Sequence, residues 1–211
     1  MDSAAYGPHS RAARGTYKEA KSNKVLQSNV NNSRKVGPLG SPILHQLKTV
    51  DKGFAPGNLW SRMTGRMFKA KSMKVPDLLE SLKDIEVNER YAYSKVFSAL
   101  PRLAFNIRKN KLLLEMELLS HAGFSRGVKA NHYLCEVSIL FLDEKGGCVR
   151  DVMETEWISL QEDLGVYEME FIGPKEAKYF LVVEGVKGGR DGREVESFEG
   201  RGMRIGRWGK V

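Results

Sequence analysis

The sequence predicts a mainly β protein: an antiparallel β-sandwich or barrel-like domain with one or two short helices, preceded by a disordered basic N-terminal arm. From about residue 90, apolar and polar residues alternate in short segments that are separated by turn residues. Before residue 60, the chain is rich in Ser, Asn, Gly, Pro, Lys and Arg, and its large apolar residues are isolated. We therefore expect a disordered basic arm over 1–53, a basic amphipathic segment over 54–75 and a β-rich globular domain over 76–211.

Positive charge is concentrated in the first third of the chain. The 211 residues carry 34 Lys/Arg against 26 Asp/Glu, a net charge of +8. Residues 1–75 hold 14 Lys/Arg and three acidic residues, a net of +11, whereas residues 76–211 hold 20 and 23, a net of −3. Segregated positive charge attracts phosphate polyanions or anionic membrane surfaces, although it is also found in solubilising tails. Single-stranded RNA or ribonucleoprotein and an anionic membrane are the expected partners.

The basic residues of this region are the candidate RNA contacts. Tyr6 and Tyr17 lie among them, and such a mixture suits single-stranded nucleic acid because bases stack on aromatic rings while cations hold the phosphates. The residues expected to bind RNA are Arg11, Arg14, Lys18, Lys21, Lys24, Arg34, Lys35, Arg62, Arg66, Lys69, Lys71 and Lys74.

The segment 54–75 interleaves basic and large apolar residues. At helical spacing, Arg62 and Arg66 share one face, and Met63 and Met67 share another. Such a segment can lie on a membrane or along a nucleic acid backbone, and the residues expected to seat on a membrane are Trp60, Met63, Met67 and Phe68. An alternative remains open, in which Trp60 and Phe68 cap the core of the following domain.

A helix and then a series of strands are expected after residue 75. "VPDLLESLKDI" has Pro76 at a favoured first position and Leu78, Leu82 and Ile85 on one stripe. Pro101 interrupts 91–107, which therefore predicts two strands, or a strand and a turn. Further strands are expected over 110–120, 132–143, 148–160, 166–173 and 178–186, with a last short one around 203–208.

Asp143 ends the apolar run of "VSILFLDEKGG", and Gly146 and Gly147 follow it. Two interpretations compete for this residue. As a structural residue, Asp143 accepts backbone N–H bonds from the turn at 145–147 and locks a hairpin. As a functional residue, it contacts a partner. We favour the structural interpretation.

The sequence contains no motif of an enzyme active site that we recognise, so we expect neither catalysis nor a cofactor. G-x-S-x-G, P-loop, H-E-x-x-H and C-x-x-C patterns are all missing, and the four histidines lack metal-site spacing. Cys135 and Cys148 are expected to be buried thiols in a reducing compartment. No apolar stretch is long enough to span a bilayer, and the N-terminus lacks the apolar core of a signal peptide.

Residues 132–186 resemble the core of the plant-virus cell-to-cell movement proteins of the 30K-type superfamily. The resemblance rests on "CEVSILFLDEKGG", on a second strand near "WISL", on "VYEMEF" and on "KYFLVVEGV" after a proline-containing turn. Asp143 matches the recurrent aspartate of the family, and Gly146 or Gly147 matches its turn. The preceding "NKLLLEMELLSHAGFSRG" looks like the earlier strand and basic loop of the family, so the resemblance extends over 110–186. It implies cooperative binding of single-stranded RNA or ribonucleoprotein by a homo-oligomer. It further implies membrane association and enlargement of plasmodesmata, in the cytoplasm of a plant host cell.

The long basic arm at the front departs from that pattern, because many family members carry theirs at the back. This departure supports an alternative: the chain also resembles a rhabdovirus-type matrix protein, which bridges nucleocapsid and membrane. A third interpretation is a coat protein that packages RNA with its arm.

Overall fold

Two antiparallel β-sheets and a layer of helices make up the structure. It is a computed structural model that describes residues 24–50, 52–99, 101–108, 111–117, 123–161 and 165–211. The helices are α1 (Lys24–Val50), α2 (Leu59–Met67), α3 (Val75–Leu82) and α4 (Tyr93–Val96), with one 3₁₀ turn at Phe198–Gly200. The strands are β1 (Ile85–Glu86), β2 (Arg102–Arg108), β3 (Lys111–Glu117), β4 (His132–Leu142), β5 (Cys148–Glu154), β6 (Ile158–Ser159), β7 (Val166–Ile172), β8 (Tyr179–Arg190), β9 (Arg193–Glu194) and β10 (Arg201–Lys210). The predicted mainly β, antiparallel fold class is confirmed.

The larger sheet lies in the middle of the molecule. Its strand order is β1-β10-β8-β4-β5, with β6 paired to β4 and β9 paired to β8, and the smaller sheet has the order β2-β3-β7. One face of the larger sheet packs on the smaller sheet, where Ile139 and Phe141 of β4 share a core with Leu114 of β3. The other face, which includes Leu140 and Leu142, packs on the helices. Both faces of β4 are therefore buried, as its continuous apolar run predicts.

Helix α1 corrects the predicted disordered arm. Residues 24–50 form a helix, and Val36, Leu39, Ile43 and Leu47 are buried against the larger sheet. These residues are spaced by three or four positions, so they lie on one helical face. The prediction of disorder is wrong for this part of the arm because burial of the stripe offsets its unfavourable Gly and Pro content. Residues 1–23, also predicted to be disordered, lie outside the described residues.

The two prolines inside α1 leave a carbonyl free, and the β4–β5 turn lies against it. Because Pro42 has no N–H, the Pro38 carbonyl lacks its usual helical donor. Gly146 approaches so closely that a Cβ at this position would lie 2.2 Å from the Pro38 oxygen, and its φ is +91°. Nearby, Gln46 Nε2 donates to the Cys148 carbonyl at 3.3 Å. The helix and the hairpin therefore contact each other through backbone groups.

The segment 91–107 is only partly as predicted. Its first part forms the short helix α4, and only its second part forms a strand, β2. Tyr93 is fully buried, and the α4 backbone packs so closely on β10 that a Cβ at Gly202 would lie 2.8 Å from the Tyr93 Cα. This tertiary contact overrides the local β pattern. The strands expected over 110–120, 132–143 and 166–173 are confirmed, and α2 and α3 form where the helical spacing predicts them.

Asp143 has the structural role that its sequence context favours. Its Oδ1 accepts the Lys145 N–H at 2.7 Å and the Gly147 N–H at 2.8 Å, and its own N–H donates to the Gly147 carbonyl at 3.1 Å. A Cβ at Gly147 would lie 2.4 Å from Asp143 Oδ2, so the glycine leaves room for the carboxylate. The carboxylate thus closes the β4–β5 hairpin.

We expect Asp143→Ala to lower the free energy of unfolding by about 2 kcal/mol, because two turn N–H groups lose their acceptor. Asp143→Asn keeps an amide oxygen that can accept the same bonds, so we expect about half that loss. Urea unfolding followed by circular dichroism measures both values. Equal losses in the two variants would contradict the acceptor role.

We expect Gly146→Ala to be about 1 to 3 kcal/mol more destabilising than Gly192→Ala, because only the first substitution pushes a methyl group against α1. Gly192 is the matched control, since its φ is +77° and a Cβ added there would have no other atom within 4 Å. The same unfolding measurement gives the difference. If both variants were equally stable, α1 would not be docked on the turn.

Candidate nucleic-acid interface

Within the described part of the N-terminal third, the basic residues lie on helices and their connecting loops. We call residues 24–75 the basic helical layer: they carry ten Lys/Arg and one acidic residue, Asp51, a net of +9. The apolar stripes of α1 and α2 face the larger sheet, which turns most of the basic side chains outward. The exposed ones are Arg34, Lys35, Lys48, Lys52, Arg66, Lys69, Lys71 and Lys74. A fixed cationic surface of this kind can bind a polyanion with its charges already in place.

Arg62 is a structural residue, which corrects its assignment to RNA. Its Nε lies 3.1 Å from the Glu89 carboxylate, and its Nη1 and Nη2 donate to the Val87 and Glu86 carbonyls. The side chain is only 20% exposed. These three contacts use both edges of the guanidinium to hold α2 against the segment around β1, so few donors remain for a phosphate.

The loop between α2 and α3 presents three exposed lysines, Lys69, Lys71 and Lys74. None of them forms an ion pair with another residue in the described ranges. The loop is held in place by Ser72, whose hydroxyl contacts the Asp77 carboxylate and accepts the Lys74 N–H. Arg66 lies one turn before this loop and donates to the Lys83 carbonyl at 2.9 Å. These four cations, which we call the loop cations, are the best-placed candidates for phosphate contacts.

A second group of exposed cations lies on α1 and in the turn that follows it. Arg34 and Lys35 were predicted to contact RNA. Lys48 and Lys52 were not predicted to do so, although they lie in the same positively charged part of the sequence. For the remaining predicted contacts, Arg11, Arg14, Lys18 and Lys21 lie outside the described residues, and Lys24 starts α1 with an undescribed side chain. Those assignments stay predictions.

The predicted membrane-seating residues face the core instead. Met63 and Met67 are fully buried beneath α2, which corrects their assignment to a membrane. Phe68 is half-buried and packs on the same core. Trp60 is also half-buried, and its ring lies 3.1 Å from the Cβ position of Gly40, so it fills the space over α1. The alternative that Trp60 and Phe68 cap the core matches these contacts.

A cleft of about 580 Å³ opens between the two sheets, which the sequence did not lead us to expect. Its polar lining consists of three arginines and three glutamates: Arg102, Arg204, Arg207, Glu115, Glu117 and Glu184. Arg204 Nε and Nη2 donate to Glu184 Oε2 at 2.9 and 2.6 Å, directly across the β8–β10 ladder. Burial raises the pKa of the Glu184 carboxyl, while Arg204 acts in the opposite direction. No histidine, serine, threonine or cysteine is among the described residues that line the cleft.

The larger sheet contains a second internally compensated group of charges. Lys187 Nζ lies 2.8 Å from both Glu136 and Glu154, so one ammonium bridges the side chains of β4 and β5. Burial raises the pKa of the Glu136 carboxyl, and the Lys187 hydrogen bond opposes that shift. Buried charges in the β sheets are thus paired with one another, whereas the loop cations are exposed and form no ion pair in the part of the chain that the structure describes.

Both cysteines are free thiols that burial keeps protonated. Cys135 is buried, as predicted, and Cys148 is half-buried. Burial raises the pKa of each thiol to about 12, with smaller contributions from Glu184 at Cys135 and from Asp143 at Cys148.

We expect both thiols of the native protein to react with Ellman's reagent at pH 8 at least roughly 100-fold more slowly than in urea, because only the thiolate attacks. A Cys148→Ser variant isolates Cys135. Reaction of native Cys135 at the unfolded rate would contradict its burial.

The described ranges contain neither a metal-ligand group nor a membrane-spanning helix. They contain no group of three or more His, Cys, Asp or Glu side chains placed to hold a metal ion. None of their helices has the length and apolar character needed to cross a membrane. Comparisons with protein-family models, with curated proteins and with solved structures found no match to this chain.

Proposed function

We propose that the protein binds single-stranded RNA or ribonucleoprotein through the basic helical layer and serves in cell-to-cell movement of a plant virus. The observation that carries RNA binding is the set of loop cations, which lie exposed at the end of α2 and on the loop after it and form no ion pair among the described residues. Phosphate groups are the ligands that such a surface attracts, and attraction of this kind is independent of base sequence.

The movement role is supported by the resemblance of residues 132–186 to the 30K-type proteins. In that region, β4 ends immediately before Asp143, the carboxylate closes the turn at Gly146 and Gly147, and β5, β7 and β8 follow. The proposed movement role involves no catalysis and assigns no reaction to the inter-sheet cleft. Within the cleft, Arg204 donates directly to the Glu184 carboxylate.

A matrix protein is the second candidate, and the position of the basic charge favours it. Ten of the basic residues lie on a layer at the front of the chain, whereas a 30K-type tail lies at the back. A rigid cationic layer could contact both a nucleocapsid and an anionic leaflet. Met63, Met67 and Phe68 pack in the core, and the half-buried Trp60 ring lies against Gly40 of α1, so a membrane contact would depend mainly on charge.

We expect Lys69→Ala, Lys71→Ala, Lys74→Ala to reduce the salt dependence of RNA binding by about two units of slope, since each lost phosphate contact removes roughly 0.7. The matched control is Lys129→Ala, Lys175→Ala, Lys178→Ala, which makes the same change in net charge at exposed lysines outside the layer. Fluorescence anisotropy with a labelled single-stranded RNA, titrated at several salt concentrations, measures the slope. Equal slopes in both triple variants would refute the assignment.

Deletion of residues 1–23 tests the predicted contacts Arg11, Arg14, Lys18 and Lys21, and keeps the buried stripe of α1 in the chain. A longer deletion that reached residue 75 would remove the buried stripe of α1 and is therefore unsuitable. We expect the short deletion to weaken binding at low salt more than at high salt. Unchanged affinity at low salt would exclude those four residues.

Expression in leaf epidermis separates the two candidate roles. A movement protein expressed alone lets a fluorescent reporter enter neighbouring cells, and the lysine triple variant should lose transport of RNA. A protein that leaves the reporter confined but condenses nucleocapsids in vitro is a matrix protein.

A further inference from the structure

The edge strand of the larger sheet, β5, carries charges at Arg150, Asp151 and Glu154 but lacks several other devices that prevent strand pairing. Cys148–Glu154 contains no proline, glycine or lysine, and it pairs with β4 without a bulge. Val149, Val152 and Met153 are three of the exposed large apolar residues of the structure. An edge that is long, regular and partly apolar is a template for another strand.

The hydrogen bonds at both ends of the β4–β5 ladder show which backbone groups face outward. Asp143 N–H bonds to the Gly147 carbonyl, and Thr155 N–H bonds to the Cys135 carbonyl, in one unbroken register. In an antiparallel ladder, hydrogen-bonded residue pairs alternate with non-hydrogen-bonded pairs. The backbone N–H and C=O groups of odd-numbered β5 residues therefore bond to β4, and those of even-numbered residues point away from β4. The Cys148 carbonyl confirms this, because it receives Gln46 Nε2 from α1. The N–H and C=O groups of Arg150, Val152 and Glu154 therefore point toward the free edge.

We propose that two copies of the chain pair through β5 as an antiparallel, two-fold symmetric dimer centred on Val152. Two-fold symmetry allows only a few registers, and the charges select among them. Centring on Arg150 or on Asp151 places like charges opposite each other. Centring on Val149 would need the Cys148 carbonyl, which Gln46 Nε2 already occupies. Centring on Met153 would pair Arg150 with Glu156, which lies beyond the end of β5. Centring on Val152 places Val152 opposite its own copy, and Arg150 opposite the partner's Glu154 at both ends.

This register uses every outward backbone group of the three residues. Val152 exchanges two hydrogen bonds with its copy, and each Arg150–Glu154 pair exchanges two more, so the three N–H and three C=O groups of each copy are all satisfied. Arg150 is available because it forms no ion pair among the described residues, and the Glu154 side chain is 45% exposed despite its contact with Lys187. The pairing ends before Cys148, where Gln46 occupies the edge.

The other two long edges disfavour self-pairing. On β7, Glu168 and Glu170 alternate on the exposed face, so a symmetric pair brings glutamates together. On β2, pairing centred on the strand places Arg102 opposite Arg108 of a second copy. Opposite-charge complementarity therefore singles out β5 among the three.

Sedimentation of the full chain without RNA tests the dimer independently of the proposed function. At near-millimolar concentration, we expect the wild type to sediment with the mass of two chains. The control variant Val152→Thr keeps the backbone N–H of residue 152, so we expect the same mass for it. We expect the mass of one folded chain for Val152→Pro, whose lost N–H points away from β4 and leaves that ladder intact. A wild type that stays monomeric, or a Val152→Pro variant that still dimerises, would overturn the proposal.

Charge reversal tests the register. Arg150→Glu and Glu154→Arg should each weaken self-association by roughly 100-fold, because two opposite-charge pairs become like-charge pairs. Mixing the two variants restores opposite charges at both ends, so a heterodimer should form with wild-type affinity. If the mixture stayed monomeric while the wild type dimerised, the Val152-centred register would be wrong. Circular dichroism confirms that each variant is folded.

Discussion

The contact between α1 and the helix-facing side of the larger sheet is the interaction on which the rest of the structure depends. Val36, Leu39, Ile43 and Leu47 cover apolar residues of β4 and β8 that would otherwise face water. Fully burying a side chain of this kind contributes about 1.5 to 3 kcal/mol, so four of them contribute about 6 to 12 kcal/mol, which is comparable to the roughly 8 kcal/mol that two glycines and two prolines cost the helix. The same contact fixes the position of every cation on α1.

A sheet buried on both faces explains how charge is arranged in the whole molecule. Inside the sheets, Glu184 pairs with Arg204, and Lys187 bridges Glu136 and Glu154, because an unpaired buried charge is strongly destabilising. The basic helical layer lies outside the sheets and carries one acidic residue against ten cations, and although Arg62 pairs with Glu89, most of the layer's charge is not compensated by an ion pair among the described residues. The field of the protein therefore comes mainly from this layer, which is why RNA binding is placed there.

The sequence was sufficient where local pattern decides the structure and insufficient where distant contacts do. Alternation in β7 and the apolar run of β4 predict the strands correctly, and the turn chemistry of Asp143 follows from its neighbours. Helix α1 was missed because Pro38, Pro42 and Gly40 argue against a helix, and the reason for Gly40 is the Trp60 ring that packs over it. Likewise, nothing near Arg62 in the sequence indicates that its partners are carbonyls on residues 86 and 87.

Hydrogen exchange measured residue by residue tests the docking of α1 most directly. If the buried stripe of α1 is part of the core, the helix amides between Val36 and Leu47 should be as strongly protected from exchange as those of β4. The helix and the strand then open only when the core unfolds. Exchange of those amides at the rate of an unstructured peptide, while β4 stays protected, would contradict the account and return the basic residues of α1 to a flexible arm.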